Sequence, residues 1–134
     1  MVHIFLDVVL LIIGLFYIYT GVASFITPHD FAKKLGMKTQ GRSGEIEVRA
    51  QYGGFFFVAG LTQLAPLFGL MGYTIAYAIS LTIFGGLILG RVGGALAGRK
   101  GEELLPLIRA LYPIDGLGAG LAGLGLYLSS DLGM

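Results

Sequence analysis

The chain has 134 residues, of which 55% are hydrophobic and only 13% charged, and its mean hydropathy is +0.82. An ordinary soluble domain carries about 25% charged residues, because its surface must be solvated. Eight acids and nine bases are too few to coat a body of this size, so the composition fits lipid as the outer solvent. With no cysteine, disulfides, thiolate metal sites and thiol catalysis are excluded.

A helical span needs roughly 20 mainly apolar residues, because the hydrocarbon core is about 30 Å thick. Four runs qualify, and no Pro/Ser-rich linker divides them, so a single four-span domain over residues 1–134 is expected. Barrel strands would be about 10 residues long and alternate polar with apolar, which these runs do not. The first span runs from Ile4 to Ile26, with Asp7 near its start. It lacks the basic leader of a secretory signal, and its apolar run is too long for one, so it is expected to stay uncleaved.

The loop that follows has a pattern of its own. Asp30 can serve as an N-cap, Phe31 and Leu35 share a face, and Gly36 fits the position just past a helix end. A short interfacial helix is expected, with Lys33, Lys34 and Lys38 snorkelling to headgroups. The second span is Val48 to Leu70, with Arg49 at its edge, and a Met71–Gly72 turn leads to the third, Tyr73 to Leu96. That third span carries Gly86, Gly90, Gly94 and Gly98 at four-residue spacing. The fourth, Pro106 to Leu128, offers Gly116 with Gly120, Gly118 with Ala122 and Ala119 with Gly123, and contains Arg109, Pro113 and Asp115. In lipid, small residues let helix backbones approach. The Arg99–Gly101 turn is short, so the last two spans should be antiparallel neighbours whose glycine faces pack together. Surplus glycine faces would be free for a partner helix or a flat ligand.

Lys33, Lys34, Lys38, Arg42 and Arg49 lie in or beside the first loop, and Arg91, Arg99, Lys100 and Arg109 in or beside the third. The two ends of the sequence and the Met71–Gly72 turn carry none. Basic residues in short loops mark the cytoplasmic face, so both termini are expected on the non-cytoplasmic side.

Ionisable groups at bilayer depth are costly and call for named partners. Glu45 and Arg49 are one helical turn apart and can pair. Glu47 faces elsewhere, with Gln51 and Gly54. Arg91 and Asp115 fall at similar depth on different spans, so Asp115 should contact Arg49 or Arg91, and Glu45 or Glu47 the other arginine. Pro113 adds to this region by freeing the Arg109 carbonyl, and Tyr17, Tyr19, Tyr52 and Tyr112 can supply hydroxyls. Two uses stand side by side: an ionic clamp for helix packing, or a polar pocket. Asp7, near the outer boundary, can simply reach water. His3 and His29 lie at opposite faces and make no haem or metal site. No phosphate loop, catalytic serine arrangement or nucleic-acid surface is present.

The stretch Glu47-Val48-Arg49-Ala50-Gln51-Tyr52-Gly53-Gly54 resembles the E-[IV]-R-A-x-Y-G-G signature of an uncharacterised family of four-helix bacterial membrane proteins, the domain of unknown function numbered 4345. Pro28, Gly90-Arg91 and an acid in the fourth span, here Asp115, extend the resemblance over nearly the whole chain. It implies a four-helix fold and the bacterial inner membrane, and brings no activity.

Three functions fit these residues. The first is a non-enzymatic accessory or scaffold subunit packed against other membrane subunits or a second copy. The second is a binder or enzyme for a lipophile (quinone, sterol-like or isoprenoid), with Glu47, Arg49, Arg91 and Asp115 at the polar end of an apolar slot. The third, a small oligomeric transporter, ranks last because four short helices make a thin wall. No cofactor, metal or nucleic acid is expected, and membrane lipids are.

Overall fold

A computed structural model describes residues 1–98 and 101–134, and among these every regular element is helical. Among the described residues there are six α-helices, against four spans and one short interfacial helix expected: α1 (Val2–Ile26), α2 (Pro28–Lys34), α3 (Gly41–Val48), α4 (Phe55–Leu64), α5 (Tyr73–Ala97) and α6 (Pro106–Asp131). The second expected span accounts for the excess. It is an uninterrupted helical column from Gly41 to Phe68, but its hydrogen-bond pattern changes three times. A π-helical segment, Arg49–Gly54, separates α3 from α4, and a 3₁₀ turn, Ala65–Phe68, closes the column. Pro66 has no N–H to offer, so the α ladder stops there, and Gly69 follows with φ of 70°.

The short interfacial helix exists as α2, with a different start from the one expected. Thr27 is its N-cap, Pro28 opens it, and Asp30 lies in its first turn instead of capping it. Its end does use Gly36, at φ of 76°, with Met37 N–H donating to Ala32 and Gly36 N–H to Lys33. The turn expected at Arg99–Gly101 falls largely outside the described residues.

The helices associate as two close pairs, α1 with α4 and α5 with α6. Between α1 and α4 the contact is backbone on backbone. A Cβ added at Gly60 would stand 2.7 Å from the Gly14 carbonyl oxygen, and one at Gly21 2.6 Å from the Phe57 nitrogen. Between α5 and α6 the contact is ring on glycine, with Phe84 seated on Gly118 and Tyr77 on Gly125. The core between the pairs holds Leu6, Leu10, Ile13 and Tyr17 of α1, Phe56 of α4, and Tyr77 and Phe84 of α5.

The expected glycine-on-glycine packing of α5 and α6 is not what joins them. A Cβ at Gly86, Gly90, Gly94, Gly116 or Gly120 would meet nothing within 4 Å. The reason is rotational: the inner face of α6 carries Asp115, Gly118, Ala122, Gly125 and Ser129, which turns Gly116 and Gly120 outward. Large apolar side chains also line the exterior, among them Ile12, Leu15, Leu89, Leu96 and Leu117. Helices α1 and α5 are each long and apolar enough to cross a membrane.

Candidate functional site

The expected single polar cluster is divided into three. Arg91, on the inner face of α5, donates from Nε to the Asp115 carboxylate of α6 at 2.5 Å. The Asp115 side chain is 2% exposed and that of Arg91 20%. Tyr112, one turn before Asp115, donates its hydroxyl to the Arg91 carbonyl at 3.0 Å, so the pair is tied across both helices. In lipid an unpaired charge costs at least about 2.5–3.5 kcal/mol, so each partner makes the other tolerable.

Arg49 belongs elsewhere. Its Nε donates 3.0 Å to the Phe25 carbonyl, and its Nη1 lies 3.4 Å from Glu45. Phe25 is in the last turn of α1, where carbonyls lack helical partners and the helix dipole favours a cation. The guanidinium also stands 5.9 Å over the Phe25 ring. Arg49 is therefore a clamp on the end of α1, and Asp115 pairs with Arg91 alone of the two arginines. Glu47 is exposed and accepts from Gln51 at 3.1 Å. Gly53 lies against Phe25, and Tyr52 packs on Phe31 and Phe56, so the signature stretch joins α1, α2 and α4. Its π-helical geometry is a form that recurs at functional sites.

Tyr19 points outward and supplies nothing to the interior, whereas Tyr17 is fully buried. The Tyr17 ring packs against Phe56 and Phe84, and its hydroxyl has no hydrogen-bond partner among the described residues. Phe84 sits on Gly118, one turn from Asp115. Arg109 and Pro113 are exposed on the outer side of α6, away from the buried pair.

The other half of the bundle has polar contacts of its own. Asp7 does more than reach water: it accepts from the Tyr73 hydroxyl at 2.5 Å. Tyr77 donates to the Leu6 carbonyl at 2.7 Å, and Ser80 to Gln63 Oε1 at 2.6 Å in a fully buried contact. The Gln63–Ser80 pair escaped the sequence reading, although a glutamine in mid-span was the available signal. Thr74 holds the Met134 carbonyl, at 2.6 Å from its hydroxyl.

Two grooves are open to the exterior. One, of about 280 Å³, is wholly apolar and lies over Gly21, Gly53 and Gly54. The other, of about 940 Å³, runs between α4 and α5, with Gly54, Ala59 and Thr62 on one wall and Ala78, Ile79 and Ile83 on the other. Among the described residues no group of acids and histidines is placed to hold a metal.

The family model described as a domain of unknown function, DUF4345, matches residues 5–108. The chain belongs to the DUF4345 family. No curated protein and no solved structure matches it. The DUF4345 match takes in α1 through α5, and with them the Arg49 clamp and Arg91. It stops at residue 108, just inside α6, so the resemblance over nearly the whole chain is narrowed, and Asp115 lies beyond the matched stretch.

Proposed function

We propose that this DUF4345 protein is a multi-pass protein of the bacterial inner membrane, with four spans and both termini on the non-cytoplasmic side. The columns are α1, Gly41–Phe68, α5 and α6, and the apolar exterior supports lipid around them. Lys33, Lys34, Lys38, Arg42 and Arg49 follow the end of α1, and Arg91 and Arg109 lie towards the end of α5 and the start of α6, which supports the orientation. Its role is that of a non-enzymatic accessory subunit, packed against a helix of another membrane protein.

The observation that carries this reading is the outward face of α6. Gly116 and Gly120 are one turn apart, with nothing within 4 Å of either Cβ position. Leu117 and Leu124 are exposed beside them. Small residues at four-residue spacing admit a neighbouring backbone in lipid, and none among the described residues takes the place.

The test is a photoreactive side chain at position 120 in native membranes, together with Gly120→Leu. A single membrane protein should be captured, and Gly120→Leu should abolish the larger assembly on a native gel without lowering the thermal stability of the isolated chain. Capture of lipid alone, with unchanged native size in the variant, would remove the accessory role. A reporter fused after Met134 that works only in the cytoplasm would overturn the orientation.

A further inference from the structure

We propose that the Arg91–Asp115 pair anchors the oxygen-bearing end of a neutral lipophile whose hydrocarbon body lies in the groove between α4 and α5. The inference rests on the membrane reading above and is independent of the partner on α6.

Consider first the polar end. Asp115 occupies only the Nε of Arg91, and no other side-chain bond to that guanidinium is made among the described residues. Its terminal N–H groups remain as donors, and the side chain is 20% exposed. The unspent N–H groups of Arg91 call for an oxygen acceptor.

The charge of the site selects among acceptors. Arg91 and Asp115 balance each other, so an anionic head would meet the buried Asp115 carboxylate and a cationic head the Arg91 guanidinium. A hydroxyl or carbonyl oxygen meets neither penalty, and a hydroxyl can also donate to the carboxylate. The matching chemistry is a long-chain or isoprenoid alcohol, or a ring ketone.

The body follows from the groove. Its walls are apolar apart from threonines, and the hydroxyls of Thr62 and Thr82 are spent on their own helix carbonyls, Val58 and Ala78. Those hydroxyls have no free donor for an occupant, so hydrocarbon fits. Along α5 the groove face continues from Ile79 and Ile83 to Gly86 and Gly90 at helical spacing. Both glycines have open space around them, so the slot continues unobstructed to the level of Arg91.

The experiment uses the full chain purified in mild detergent. The probes are a long-chain alcohol carrying a diazirine and the fatty acid of the same length and label. The alcohol should label α5 around Gly86–Gly90 and be displaced by unlabelled isoprenoid alcohol, while the acid labels far less. Asp115→Asn leaves Arg91 charged and should reverse that preference toward the acid, by about tenfold, the scale of one modest interaction. Arg91→Leu with Asp115→Leu removes both charges together and should abolish site-directed labelling in a chain that still folds. Equal labelling of the wild type by alcohol and acid, or an unchanged preference in Asp115→Asn, overturns the proposal. Recovery of the chain in the soluble fraction would instead overturn the membrane reading, before any probe is added.

Discussion

Glycine does opposite things in the two helix pairs. Between α1 and α4, Gly14, Gly21 and Gly60 are places where one backbone meets another or a packed side chain, and a single added carbon has nowhere to go. On the second half of α5 and the outer side of α6, glycines at equally regular spacing touch nothing. Spacing states only that a helix could be approached closely. Whether anything approaches depends on where the neighbouring backbone runs, and that is a property of the assembled bundle.

The largest effect should come from the pair that holds α5 to α6 without glycine-on-glycine contact. Arg91→Leu strands a buried carboxylate and should cost about 3–5 kcal/mol, read as a loss of unfolding free energy in detergent. Adding Asp115→Leu should return much of it. A double variant no more stable than the single would show that the two side chains act separately, and the ion pair would lose its place in the comparison.

Gly21→Val comes next, at about 3 kcal/mol, because the obstructing atoms are the Phe57 nitrogen and Gly53 oxygen rather than the tip of a flexible side chain. A melting temperature close to wild type would mean that α1 and α4 can separate cheaply. Arg49→Gln should cost roughly 1 kcal/mol, since it removes a charge-assisted bond to the Phe25 carbonyl at a half-exposed site. Hydrogen exchange at the end of α1 should rise with it, and unchanged exchange would deny the clamp. Smallest of all is Gly90→Ala. It should leave the isolated chain within about 0.5 kcal/mol of wild type, as substitutions away from packed features do. A clear loss would place a neighbour on that face.

Much of this arrangement was legible in the sequence. Apolar length located α1 and α5 to within two residues at each end, because hydrophobic extent is a local property. Comparable depth brought Arg91 and Asp115 together, because charges in an apolar medium have few other choices. Arg49 was harder to read: one of its partners is a main-chain carbonyl, which leaves no mark on the sequence, and so a single cluster was expected where the two arginines serve separate helix pairs. Of the three small-residue faces read on α6, the buried one is Gly118 with Ala122, because the inner face is set by Asp115, Gly118 and Gly125 together; spacing alone did not separate it from the outward pair at 116 and 120. No propensity scale marks Arg49–Gly54 as π-helical, since Arg, Ala and Gln all favour an ordinary helix.

That π segment can also be understood as an insertion. Its wider turns accommodate one residue more than an α-helix would need between the same two ends, and each α-helical residue advances the chain by about 100°. Delete one residue between Arg49 and Gly54, and the Gly41–Phe68 column can close into a continuous α ladder. Everything on one side of the deletion then rotates by about that angle relative to the other. Either Arg49 swings off the Phe25 carbonyl or Phe56, Ala59 and Gln63 leave the core. The signature stretch is therefore defined by its length as strictly as by its side chains, and a one-residue deletion there should do more harm than most substitutions of the same residues.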